Sequence, residues 1–247
     1  MAGSQEAFSV PPLALCPNAK AETHCEQCRV RSLSLCGALE ADELIDLDRL
    51  SRPMHHAARE TIFEQDELAD SVFNITSGSA RLYRLLPDGR RQVVGFALPG
   101  DFLGLALTER NAFSADALTP LTACSFSRQS FSDFLDSKPH LLRKLHAMAG
   151  HELSLAQEQM VILGRRTAEE KIAAFLIGLR KRWARLSTSS VTIPLPMTRQ
   201  DIGDFLGLTV ETVSRMLTRL AREKAILIVP DGVRLLNVAR IEALAES

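Results

Sequence analysis

The sequence predicts an α+β chain in which an antiparallel β-domain, a long helix and a C-terminal winged helix-turn-helix follow one another. Three observations carry this reading. From Thr61 to Phe126 short apolar runs alternate with turn signals. After Pro139 the apolar residues move to a spacing of seven. Near the C-terminus two capped helical stretches flank a glycine, with a hairpin pattern behind them. With 247 residues, 46% of them hydrophobic, there is material for two cores.

Residues 1–37 read as a flexible arm carrying cysteines. Pro11-Pro12 and the lack of an apolar period argue against packing there. The start, Met1 to Phe8, has neither a basic opening nor an apolar core, and no run approaches the ~18 apolar residues of a membrane helix. The expectation is a cytoplasmic protein with no membrane partner. In that compartment thiols are kept reduced, so five cysteines point to metal or redox chemistry rather than to structural disulfides.

A short helix is expected over Ala41 to Leu50, opening a β-domain over 38–138. Its turns are Ser77-Gly78-Ser79, Pro87-Asp88-Gly89 and Leu98-Pro99-Gly100-Asp101. Between them Ala80 to Leu85 and Gln92 to Phe96 read as the arms of a hairpin, so the domain is a barrel or roll. His55 and His56 read as ordinary residues at its entry.

The long helix covers 139–166. Leu142, Ala149, Ala156 and Leu163 recur every seven residues, and His146, Leu153 and Met160 form the complementary row. One narrow stripe with small alanines suits a twofold homodimer better than packing on the chain's own β-domain. The interface residues are then Leu142, Ala149, Leu153, Ala156, Met160 and Leu163.

Residues 167–247 begin with a helical stretch, Thr167 to Trp183, whose Ile172, Phe175, Leu176 and Leu179 face a core. Thr198 caps the next helix with Asp201 as its capping-box acid, Gly207 permits the tight turn, and Thr209 caps a second helix. In that helix Val213, Met216, Leu217 and Leu220 point inward, leaving Glu211, Thr212, Ser214, Arg215, Thr218, Arg219 and Arg222 outward. Arg215 can pair with guanine O6 and N7, Glu211 can accept from a cytosine amino group, and Ser214 can reach a base or phosphate. Ile226 to Val229, a Pro230-Asp231-Gly232 turn and Val233 to Leu236 supply the wing. From Arg165 to Lys224 the chain carries twelve Lys or Arg against six Asp or Glu, a surplus that suits a polyanion or simply a solvated face, and with the helix-turn-helix it points to double-stranded DNA. No nucleophile with a nearby base, phosphate-cradling glycine loop or HExxH helix is present, so the chain is not expected to be an enzyme.

Cys25 and Cys28 can place two thiolates on neighbouring corners of a metal centre, Cys36 follows, and Cys124 can join from the β-domain. Four thiolates fit tetrahedral zinc or an iron–sulfur cluster, and a reduced CxxC can also be a thiol–disulfide switch. Spacing does not choose among them, and a lone Cys such as Cys124 in an apolar strand is often simply buried. Cys16 reads as a spare surface thiol and His24 as solvated.

The run Met197 to Arg215, MTRQDIGDFLGLTVETVSR, preceded by Thr167 to Phe175, TAEEKIAAF, closely resembles the CRP/FNR superfamily and its FNR branch in particular. The resemblance covers nearly the whole chain from His24 onward. It implies a β-roll sensor domain like a cyclic-nucleotide-binding domain, a dimerisation helix and a winged helix-turn-helix. It also implies that Cys25, Cys28, Cys36 and Cys124 hold an oxygen-labile [4Fe–4S] cluster, intact without oxygen and then favouring a DNA-binding homodimer at anaerobic or microaerobic genes. The wider gap before Cys36 departs from the enteric pattern and looks like that of alphaproteobacterial relatives. Glu211, Ser214 and Arg215 match the family's base-reading trio, implying a palindrome resembling TTGAT-N4-ATCAA; Arg199, Thr209, Thr212 and Arg219 are candidates for phosphate contacts. RNA polymerase is a further partner the resemblance implies. Cyclic nucleotide is not expected, because Leu105 and Phe113 stand where nucleotide binders carry a ribose-binding Glu and a phosphate-binding Arg.

Overall fold

A computed structural model describes Cys25, 28–105, 108–186 and 192–246. Helix α1 (Ala41–Leu50) opens with a capping box between Glu40 and Glu43. Eight strands follow: β1 (Arg52–His56), β2 (Thr61–Phe63), β3 (Ser71–Ser77), β4 (Ala80–Leu85), β5 (Arg91–Ala97), β6 (Phe102–Leu103), β7 (Ser114–Ala117) and β8 (Leu121–Ser127). They form two four-stranded antiparallel sheets, ordered β1-β8-β3-β6 and β2-β7-β4-β5. The two-residue period then divides the residues of β3 and β8. Phe73, Ile75, Leu121 and Ala123 enter the interior of the roll, while Val72 and Phe126 enter a second core on the outer face of the first sheet. Gly78 turns β3 into β4 at φ +79°, where a Cβ would lie 2.4 Å from the Pro120 carbonyl oxygen.

That outer core brings together parts of the chain with different roles. Leu44 and Leu47 of α1, helix α2 (Arg128–Asp136) through Phe131, Phe134 and Leu135, and the buried Leu141 of helix α3 (Pro139–Arg165) meet there. The sequence reads 1–37 as an arm outside any core; the structure differs for residues 30–37. Two short 3-10 turns, Arg31–Leu33 and Leu35–Ala38, bury Leu35, Cys36 and Leu39 in the same core. Turns this short leave no helical period to read.

α3 runs 27 residues, about 40 Å at 1.5 Å per residue. After Leu141 none of its residues is fully buried, and Leu142, Leu153, Met160, Val161 and Leu163 are exposed. Helix α4 (Ala168–Leu186) begins the C-terminal domain. It is joined by β9 (Thr192–Pro194), α5 (Arg199–Leu206), α6 (Val210–Arg222), β10 (Ile226–Val229), β11 (Gly232–Leu235) and α7 (Val238–Glu246). The wing is a three-stranded sheet ordered β10-β11-β9. Ile172, Leu176, Ile202, Leu206, Val213 and Leu220 form the core of the C-terminal domain, which extends into the roll through Val93, Phe96 and Leu98. The Phe96 ring lies 5.3 Å from that of Phe205 and 6.1 Å from that of Phe175.

Candidate functional site

Two sites carry the functional reading, and the first is the helix-turn-helix. The Thr198 hydroxyl accepts from the Asp201 backbone N–H at 3.1 Å, and the Thr198 N–H donates back to the Asp201 carboxylate at 2.9 Å, so α5 starts at a complete capping box. Gly207 ends it in the left-handed region at φ +64°. The Thr209 hydroxyl then accepts from the Thr212 N–H at 3.2 Å and starts α6. The predicted inward set holds: Val213, Leu217 and Leu220 are buried and Met216 packs against the same core.

Glu211 and Arg215 are exposed on the opposite face, with Ser214 partly so. The Glu211 carboxyl is held below its ordinary value, first by the backbone N–H of Glu211 itself and then by the Thr209 hydroxyl. It is an ionised acceptor at neutral pH. The Arg215 guanidinium touches the Thr212 hydroxyl at 3.4 Å, and Arg199 is exposed on the first turn of α5. Arg219 points outward and is exposed, as the sequence expects. It pairs with Glu223 at 3.0 Å and Glu169 at 3.3 Å, which reduces its availability to a phosphate.

The second site is the meeting of the thiols. Cys124 of β8 stands opposite Asn74 of β3 and Pro53 of β1. Cys36 is buried, its N–H donates to the Ser34 hydroxyl at 3.3 Å, and the Asn74 side-chain amide donates to its Sγ at 3.8 Å. Cys25 and Cys28 lie in one turn, where the Cys28 N–H donates to the Cys25 carbonyl at 3.4 Å. The Cys25 thiol donates to Asp48 Oδ1 at 3.3 Å, and Cys25 and Cys124 both pack against the core that holds Cys36.

Burial pushes the Cys25 thiol far up, and the Asp48 carboxylate adds to it; Cys36 and Cys124 contribute through their charge. Burial also raises Cys36, offset in part by the Ser34 hydroxyl. Such thiols stay neutral unless a metal draws off their protons. No disulfide joins the four, and among the described residues no three His, Cys, Asp or Glu form a ready site for a single ion. The donor set, soft thiols set against an apolar core, suits zinc or an iron–sulfur group alike. Cys16 and His24 lie outside the described residues. His55 is exposed, and His56 is buried with Glu60 Oε1 3.3 Å from its Nδ1.

Two features escape a reading of the sequence. Asn74, buried beside Cys36, sits in a strand pattern that calls for an apolar residue. An ionic seam also joins the two domains: Arg81 Nη1 and Arg91 Nη2 reach Asp201 Oδ1 at 2.8 and 2.7 Å, while Arg81 also holds Asp116 at 2.7 Å and Arg91 holds Asp204 at 2.9 Å. The partners of the Asp201 pairs are at least 110 residues apart in the chain, and no local pattern announces them.

The cyclic nucleotide-binding domain family matches residues 53–138, and the crp family of bacterial regulatory proteins matches residues 195–226. The transcriptional activatory protein AadR of Rhodopseudomonas palustris is 53% identical over 95% of this chain and 97% of its own. The nitrogen fixation regulation protein FixK of Bradyrhizobium diazoefficiens is 51% identical over 90% and 93%, and the transcriptional activator FnrL of Cereibacter sphaeroides 36% over 87% and 91%. The solved structure of FixK2 from Bradyrhizobium japonicum superposes with a TM-score of 0.73 at 35% identity, covering 78% of this chain and 96% of that one. No helix among the described residues is long and apolar enough to cross a membrane. With its roll, its helix-turn-helix and these relatives, the chain belongs to the CRP/FNR family of transcription regulators, of the FNR type.

Proposed function

We propose that this regulator is an oxygen-responsive activator that binds a TTGAT-N4-ATCAA-like palindrome as a homodimer while Cys25, Cys28, Cys36 and Cys124 hold a [4Fe–4S] cluster. One observation carries the reading: the core that receives Cys25, Cys36 and Cys124 also receives Leu141, Leu145 and Met148 from the first turns of α3. Bound there, the cluster supplies an oxygen-labile crosslink between the arm and β8. The chain's own residues do the rest. With the arm held down, Leu35 and Leu39 close the core over Leu141, and the N-terminal end of α3 is fixed against α1 and α2. Glu43 of α1 adds contacts to Lys138 at 3.4 Å and His140 at 3.1 Å.

A fixed α3 presents Leu142, Ala149, Leu153, Ala156, Met160 and Leu163 along one side to a second copy, where knobs-into-holes packing covers them. Two recognition helices then read half-sites about one helical turn apart. Glu211, Ser214 and Arg215 read bases; Arg199, Thr209 and Thr212 set the register on phosphates. Releasing the arm loosens the start of α3 and lowers the dimer population, separating the paired contacts. Leu105 packs against the outer core and leaves no carboxylate for a ribose, so the roll is not read as a nucleotide site. RNA polymerase is the partner through which activation acts.

The test is fluorescence anisotropy on a palindromic duplex, anaerobically and after air. Tight anaerobic binding that weakens by at least tenfold in air is expected. Equal affinity in both conditions would overturn the oxygen response, and equal affinity for a scrambled duplex the palindrome.

A further inference from the structure

We infer that Asn74 is a positioning residue of the thiol centre, whose side-chain amide N–H holds the Cys36 sulfur and slows loss of the cluster to oxygen. The inference rests on the cluster reading proposed above. Asn74 is 2% exposed in β3, a strand paired on both sides. Asparagine is depleted in such strands, where Val or Ile packs better. Its neighbours Phe73 and Ile75 enter the roll, so Asn74 faces the outer core with Val72. There it stands opposite Cys124 on β8 and Phe102 on β6, and its Nδ2 lies 3.8 Å from Cys36 Sγ. One side chain thus touches one candidate ligand and adjoins a second, on a different segment.

Among the described residues the other half of the amide has no hydrogen-bond partner: Oδ1 is buried and unmatched. A half-satisfied amide in an apolar core is costly, and such a group persists where another demand holds it. The sulfur supplies that demand and also fixes the orientation. Turning the amide over would set Oδ1 against a thiolate, two acceptors in contact with no proton between them. With N–H toward sulfur, the bond becomes charge-assisted once Cys36 gives up its proton to a metal. Hydrogen bonds to ligand sulfurs draw off electron density and raise the potential of an iron–sulfur centre, making it harder to oxidise.

The experiment compares wild type, Asn74→Leu and Asn74→Gln, purified without oxygen. Leu keeps much of the shape and lacks the N–H; Gln keeps the N–H. Four quantities are read: iron and sulfide content, reduction potential, loss of the visible band in aerated buffer, and melting of the metal-free chain. N74L is expected to carry wild-type iron and sulfide, to have a lower potential and to bleach about tenfold faster, the equivalent of one charge-assisted hydrogen bond. N74Q is expected to lie nearer wild type than N74L does. The proposal is overturned if N74L matches wild type in rate and potential, if both variants change equally, or if N74L does not fold. Wild type without iron and sulfide would instead remove the cluster reading itself.

Discussion

Replacing Asp201 with Asn tests whether the ionic seam fixes the DNA-binding domain to the roll. Asp201 is 0% exposed and accepts from the Thr198 N–H at 2.9 Å, the Thr198 hydroxyl at 2.7 Å, Arg81 at 2.8 Å and Arg91 at 2.7 Å. D201N keeps the shape and removes the charge that faces both guanidiniums. Breaking a buried ion pair costs about 3–5 kcal/mol. Here Arg81 and Arg91 remain 21% and 23% exposed and keep Asp116 and Asp204 as second partners. The expected loss is therefore smaller, about 2–3 kcal/mol, including a weakened capping box.

The pH dependence adds a second check. Burial alone would raise the Asp201 carboxyl, but the Thr198 bonds and the charges of Arg81 and Arg91 outweigh it and hold the group below its ordinary value. A depressed carboxyl stabilises the fold fully above the unfolded value, about pH 4, and loses that contribution as pH falls through the folded value. Urea unfolding followed from pH 7 to pH 3 should show a gap between wild type and D201N that is widest near neutrality and closes in acid. Equal stability at pH 7, or a gap that persists undiminished at pH 3, would refute the argument.

Arg215→Ala should lose discrimination at a single guanine in each half-site, by about 1–3 kcal/mol, when binding is measured across a panel of point-substituted duplexes; a uniform loss on all sequences would count against base reading. Leu153→Glu with Met160→Glu should move the protein toward monomer in anaerobic sedimentation, since both side chains are exposed in the single chain and would meet a second copy; a dimer that survives both charges would count against this stripe as its interface. Cys124→Ala should abolish stable iron binding and anaerobic DNA binding; a variant retaining both would remove Cys124 from the centre.

Sequence legibility followed the range of the interactions. α5 and α6 were readable because Thr198, Gly207 and Thr209 act within a few residues of themselves, and the structure uses each in the cap or turn its chemistry suggests. The β4–β5 hairpin was readable for the same reason: Pro87-Asp88-Gly89 closes it, with the Asp88 carboxylate accepting from the Arg90 N–H at 3.0 Å. α2 escaped because Ser127-Arg128-Gln129-Ser130 continues a polar stretch straight from β8 without a stop signal. β9 is only three residues long, and its pairing with β11 depends on distant chain. The thiol-bearing turns carry no period, so their burial becomes visible only once α1, α2 and α3 supply the walls. The ionic seam and Asn74 belong to the same class, since each owes its role to residues tens of positions away.

Iron, acid-labile sulfide and zinc should be assayed on protein purified without oxygen, with a visible spectrum taken before and after brief exposure to air. If the four cysteines hold an oxygen-labile cluster, the protein is brown, carries iron and sulfide in equal amounts, about four of each per chain, and bleaches in air. Stoichiometric zinc, no sulfide and no visible band would contradict it.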